Sequence, residues 1–165
     1  SKIIATPDKQ RADGTSQVLI TIRPENSFGD SIRYPDNAVV SHTGTGGLST
    51  VSPVGQFFFS ATLTAPAVGQ RDTLSASVDA GGVNAALTSH PVVTFYPCGD
   101  ANGDLVPFNI LDLTFVVDRI FRGGGLPLFP PAADFNGDGS SANVIDLTTI
   151  VDRLFRFGPL PTCGW

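Results

Sequence analysis

The sequence predicts a mostly β chain that ends in a small α module: an antiparallel β-sandwich over residues 1–97, then a two-helix unit over 98–165. Two observations carry this. Short alternating apolar and polar runs fill the first part, and the segment 100–122 recurs as 134–156 at a constant offset of 34. Composition changes at the same boundary. Thr, Ser, Val and Ala dominate before it, whereas residues 98–165 hold eight of the fifteen acidic residues against four Arg, or −4 of the net −5.

The alternation is regular. Val18, Ile20 and Ile22 form one set and Phe57, Phe59, Ala61 and Leu63 a second. Leu74, Ala76 and Val78, then Val83, Ala85 and Leu87, then Val93 and Phe95 follow. Period two over short runs between Gly, Pro, Asn and Asp clusters predicts half-buried antiparallel strands. Asp79-Ala80-Gly81-Gly82 reads as a hairpin turn, and Pro24, Pro35, Pro53, Pro66 and Pro91 mark strand ends or edges. About seven strands in this length fit an immunoglobulin-like sandwich. The opening SKIIA is either the first strand of this sandwich or a strand able to add to a neighbour's sheet edge. Of Phe57-Phe58-Phe59, two rings are expected in the core and one outside; Phe58 lies under a loop or in an apolar patch that meets another chain. His42 and His90 read as ordinary surface residues.

The stretches ATPDKQRADGTSQVLITIRPEN, TGTGGLS, GQFFFSATLTAP and DTLSASVDAGGVNAALT resemble the bacterial Ig-like domains of invasin and intimin type. That resemblance covers most of residues 2–96 and implies a rigid spacer or adhesive module.

In the repeat, Asp100, Asn102 and Asp104 stand at alternate positions, as do Asp134, Asn136 and Asp138. Oxygens at positions 1, 3 and 5 followed by a late carboxylate are what a hard cation needs to wrap a loop around itself. The late groups are Asn109 with Asp112 and Asn143 with Asp146, each one place beyond the EF-hand positions 9 and 12. One residue has therefore been inserted in both loops, bulging ahead of the closing Asp. A carbonyl ligand is expected from Val106 or Pro107 in loop one, and from Ser140 or Ser141 in loop two. Leu105 replaces the turn glycine that Gly139 keeps, so loop one is expected to be the more strained and weaker site. Three carboxylates per loop suit Ca²⁺ better than Mg²⁺, giving two calcium sites; the alternative is an acidic turn without metal. Two bound divalent cations would bring this half of the chain to about neutral.

A helix follows each loop. Leu113, Val116, Val117, Ile120 and Phe121 form an apolar stripe, matched by Leu147, Ile150, Val151, Leu154 and Phe155. GGGLPLFPP and FGPLP end the two helices. Each closing Asp sits at a helix start, which should couple metal binding to helix formation. Cys98 and Cys163 bracket the module and read as a covalent clasp, worth about 4 kcal/mol for so long a loop. A disulfide implies an oxidising, extracellular setting, secreted or on a cell surface; the alternative is two unpaired thiols. Trp165 is expected to pack on the clasp.

The pattern DxNxD…N-x-x-D-L, then helix, linker and a second copy, resembles a type I dockerin over residues 98–165. The resemblance implies two helices related by a pseudo-twofold and a cohesin-like β-sandwich as partner. By position it implies a recognition face of Ile110, Leu111, Asp118, Arg119 and Arg122, with a twin of Val144, Ile145, Asp152, Arg153 and Arg156. The longer loops and the apolar pair before each closing Asp depart from the usual cohesin-binding pattern.

No basic patch exists to track phosphates, which argues against nucleic acid. No run of 18 apolar residues exists to span a membrane as a helix, and no N-x-S/T sequon occurs. The start at Ser1, without Met or a signal-type segment, reads as a processed chain or a fragment. No nucleophile–base pair or redox motif stands out, so no enzymatic role is expected. The sequence thus points to a non-catalytic extracellular calcium-binding protein that mediates protein–protein assembly. Two alternatives are a subunit of a homopolymeric filament built by head-to-tail contacts or strand addition, its partners being neighbouring copies, and the C-terminal attachment region of a larger secreted hydrolase.

Overall fold

Alternation places the core of the first unit. In β3 (Gln17–Arg23) Val18, Ile20 and Ile22 are fully buried, while Leu19 between them is 52% exposed. Phe59, Ala61 and Leu63 of β7 (Phe58–Thr64) repeat the pattern, and the long β8 (Gln70–Ala80) buries Asp72, Leu74, Ala76 and Val78. The computed structural model describes residues 1–26, 28–32 and 35–164. It divides the chain into two units, Ser1–Phe95 and Tyr96–Trp165. Trp165 itself, expected on the clasp, lies outside the described residues.

The first unit is two five-stranded sheets. One runs β1 (Lys2–Thr6), β3, β7, β5 (Gly47–Leu48), with β6 (Ser52–Val54) also on β7. The other runs β2 (Lys9–Arg11), β10 (Val92–Tyr96), β8, β4 (Asn37–His42), with β9 (Val83–Ala86) also on β8. Inner faces of both sheets share one apolar cluster, from Ile3 and Ile20 to Leu74 and Phe95. This is the β-sandwich the alternation predicts, built from more and shorter strands.

Of the two readings of SKIIA, the first strand of its own sandwich holds: it lies at a sheet edge with Ile3 opposite Ile22. Three expectations are corrected. Only Phe59 of the Phe triple enters the core; Phe57 is half-buried ahead of the strand and Phe58 faces out. The β8–β9 hairpin turns on Gly81-Gly82, both at positive φ, but β9 is exposed on both faces, with Val83 at 68%. Of the run Val83, Ala85 and Leu87 only Leu87, one residue beyond β9, is buried in the core.

His42 is the third. Its Nδ1 meets Asp72 Oδ2 at 2.7 Å, and Asp72 Oδ1 accepts from Thr43 N at 3.0 Å and Gly44 N at 2.8 Å. A carboxylate fully buried in a sandwich is tolerable only with such partners, and they pin the turn after β4 onto β8.

The second unit carries α1 (Ile110–Arg122), a 3₁₀ turn (Pro130–Ala133) and α2 (Val144–Arg156). Val116 of α1 and Ile150 of α2 are fully buried around Phe135, with Leu113, Ile120, Leu147 and Leu154 against them. Phe121 and Phe155, expected in the same stripes, are instead exposed. Each follows the last inward residue by one position, which turns it about 100° round the helix away from that core. Cys98 and Cys163 form the disulfide, Cα–Cα 5.6 Å, and Tyr96 stacks on Phe129 at 5.2 Å. Gly123 ends α1 in the left-handed region, as C-terminal caps require. Its counterpart after α2 is Phe157, at φ 57° and 93% exposed.

Two stability outcomes follow. Asp72→Ala strands His42 and two backbone N–H groups and should cost about 3 kcal/mol in urea unfolding. Phe157→Gly relieves left-handed strain without losing burial and should raise the stability of the helical unit by about 1 kcal/mol.

Candidate metal centre

Each loop is closed by one carboxylate. Asn109 caps α1: its Oδ1 accepts from Leu111 N at 2.6 Å and Asp112 N at 3.2 Å, while Asp112 Oδ2 accepts from Asn109 N at 2.9 Å. Asn143 and Asp146 repeat this at 2.6, 3.1 and 2.9 Å. These are capping boxes, with Asp in the place usually held by Glu. The other oxygen of each closing Asp reaches back to the start of its loop. Asp112 Oδ1 accepts from Ala101 N at 2.8 Å, and Asp146 Oδ1 from Phe135 N at 2.7 Å. Both closing carboxylates have 0% exposure.

The early acids organise the loop backbone. Asp100 Oδ1 accepts from Gly103 N at 2.8 Å and Asp104 N at 3.0 Å, and its Oδ2 from Leu105 N at 3.0 Å. In loop two Asp134 accepts from Asp138 N at 3.1 Å and Gly139 N at 2.9 Å. Asn102 and Asn136 each donate to the acid two places on, Asp104 at 2.9 Å and Asp138 at 2.8 Å. Leu105 holds φ 70° where Gly139 holds 87°, so loop one carries the strain expected of it. Both lengthened loops turn at the same place, with Phe108 and Ala142 each at φ 55°.

One carboxylate oxygen from each of Asp100, Asp104 and Asp112 lies within 4.8 Å of the others. Three like charges that close, two of them buried, repel one another unless protonated or bridged by a cation. The donors are all hard oxygens, which fits Ca²⁺ rather than a thiophilic or imidazole-seeking metal. Asp134, Asp138 and Asp146 are not drawn into so tight a group among the described residues.

The remaining predicted ligands take these places. Asn109 and Asn143 sit as helix caps, each amide also donating to a loop carbonyl, Val106 O and Ser140 O, at 2.7 Å. Pro107 is exposed and Ser141 half-buried. An N-x-x-D pattern at a helix start is itself a cap signature, so that role was legible in the residues.

On the helix faces Ile110, Leu111, Val144 and Ile145 are exposed. Asp118 pairs with Arg122 and Asp152 with Arg156, each at 3.6 Å. Arg119 and Arg153 are half-buried, their Nη1 on Gly124 O at 3.2 Å and Gly158 O at 3.3 Å. They satisfy the carbonyls beyond the helix ends. Phe121, Leu126, Leu128, Phe155, Phe157 and Leu160 of the same unit are exposed as well.

Burial pushes the Asp112 carboxyl up to about 6, against the backbone donors of Asn109, Asn102 and Ala101 and helped by the Asp100 charge. Burial likewise raises Asp100 and Asp146. Asp104 is lowered: burial, the largest single effect, raises it, but the hydrogen bonds from Asn102, Val106 and Asn109 together outweigh it; hydrogen bonds from Asn136 and Ser140 lower Asp138. A carboxyl raised by folding holds its proton more tightly in the folded state, so its stabilisation is complete below about 3.8 and lost as pH rises through about 6. In chelator, the urea midpoint of the helical signal should therefore fall between pH 4 and pH 7. With calcium present it should rise over the same interval, because the metal takes the ionised form.

No protein-family model matches the chain, and no curated protein matches it. Among solved structures it is similar to InvD of Yersinia pseudotuberculosis, at 25% identity and TM-score 0.49 over 58% of this chain and 27% of that one. It is similar to the adhesin InvE of the same organism, at 23% identity and TM-score 0.48 over 59% of this chain and 26% of that one. The D0–D1 domain of intimin shows 22% identity and TM-score 0.46 over 60% of this chain and 49% of that one. The chain thus spans about a quarter of the first two proteins.

Proposed function

We propose that residues 98–165 form a dockerin-type module that binds two calcium ions and uses them as structural rivets for a protein-docking face, with residues 1–97 as an Ig-like spacer. The observation that carries this is the pair of fully buried closing carboxylates, each joining a loop start to a helix start. Asp100, Asn102, Asp104, Asp112 and the carbonyl of Val106 would hold the first ion. Asp134, Asn136, Asp138, Asp146 and the carbonyl of Ser140 would hold the second. The ion supplies charge neutralisation and no chemistry; the residues fix the N-terminal turn of each helix and so the faces they present.

The number of large apolar residues exposed on α1, α2 and their flanks supports docking, since exposed apolar surface marks interaction sites. A strained, fully exposed Phe157 belongs to the same reading. The disulfide supports an extracellular setting. The partner is a separate β-sandwich of cohesin type.

A filament of identical copies is the second reading, favoured by a cleft on the sandwich formed by Leu19, Val54 and Phe58 with Arg23 over the Phe58 ring at 5.8 Å. A heterologous contact between that cleft and the helix faces would propagate.

Light scattering of the purified chain with calcium and then with EGTA separates the readings. A monodisperse chain that captures a cohesin-type sandwich only with calcium supports docking, and long polymers without a second protein support the filament. Helical circular dichroism should drop in EGTA; unchanged helicity would count against calcium as a rivet.

A further inference from the structure

The two loops are covered differently. In loop one the Phe108 ring lies over Gly99, and Gly103 faces the Leu128 side chain. Residues 99 and 108 correspond to Ala133 and Ala142, so loop two lacks a ring at that place; its own ring, Phe135, stands at the position of Ala101. The C-terminal tail lies there instead. A Cβ added to Gly137 would stand 2.9 Å from Thr162 O. One added to Gly164 would strike Asp134 Oδ2 and stand 3.3 Å from Gly137 Cα. Only a residue without a side chain lets the tail pass this close to the first acid of the loop.

The tail is fastened at one point between those two contacts. Cys163 is bonded to Cys98, two residues before Asp100, and its backbone N lies 3.2 Å from Cys98 Sγ. Its sulfur lies 3.6 Å from Ala132 O, two residues before Asp134. The disulfide therefore ties the entry of loop one to the cover of loop two.

We infer that the Cys98–Cys163 disulfide, acting through tail residues 162–164, closes the second calcium loop and sets its affinity, whereas loop one closes on its own Phe108. This rests on the calcium reading above. Without the tether the tail must be ordered each time loop two binds, and that entropy is subtracted from the binding free energy. The tail residues are positioning residues: they hold Asp134 and the Gly137 turn and need not touch the ion.

The test uses the full chain as wild type, as Cys98→Ser/Cys163→Ser and as Gly164→Ala, titrated with calcium by calorimetry. Amide NMR signals of Leu105 and Gly139 assign each binding event to its loop. Wild type should show two sites. Both variants should weaken the Gly139-reported site by about tenfold, as loss of a supporting contact does at metal sites, and leave the Leu105-reported site within about twofold. In chelator, hydrogen exchange at Gly137 and Asp138 should quicken in both variants. The clasp is intact in Gly164→Ala, so that variant remains decisive should the cysteine-free chain not fold. Unchanged Gly139-reported affinity, or equal weakening of both loops, overturns the inference while leaving the calcium reading intact. Absence of calcium binding in wild type overturns both.

Discussion

Everything in the helical unit depends on a carboxylate held out of water at the first turn of each helix. Asp112 and Asp146 are acceptors on both sides, taking N–H groups from the cap and from the loop start. Each joins segments 11 residues apart in sequence. A negative charge is favoured at a helix N-terminus, yet burial raises both groups from their ordinary value, Asp112 to about 6. Folding thus makes each closing acid hold its proton more tightly than the unfolded chain does. Helix start, loop shape and charge state are one equilibrium.

The sandwich solves a similar problem by other means. Asp72 is as buried as Asp112 and likewise gathers backbone N–H groups of a following turn. Its compensating group is a side chain, His42, contributed by the adjacent strand. Both units use a buried Asp to fasten a loop to a regular element.

Much of this was legible in the residues because it is local. Val18-Leu19-Ile20 and its continuation is a period-two signal that survives folding, since β3 lies between two strands with one face on the core. Alternate acids and amides and a cap three residues before the closing Asp are spacings within one loop. What was hidden is non-local. Nothing near His42 announces an acid 30 residues away, and nothing near Gly164 announces Asp134. The apolar run 83–87 misleads in part, since Leu87 reaches the core while Val83 and Ala85 do not, and alternation alone does not report where along a strand the core ends. Phe121 and Phe155 mislead through breadth: a stripe written five residues wide includes one that the neighbouring helix cannot reach.

The exchange of ring positions between the repeats sets a limit on how alike they can become. Repeat one places Ala101 and Phe108 where repeat two places Phe135 and Ala142, and the two rings meet in one core with centroids 6.2 Å apart. Each copy supplies one ring, from a different rung. Copying either repeat over the other would keep the ring count but move one ring to the wrong rung, leaving a void at one loop and crowding at the other. The duplication has therefore become a matched pair of unlike halves. Homogenising recombination between them is penalised by packing alone, and the module gains a fixed polarity that its near-symmetric ligands and helices do not provide.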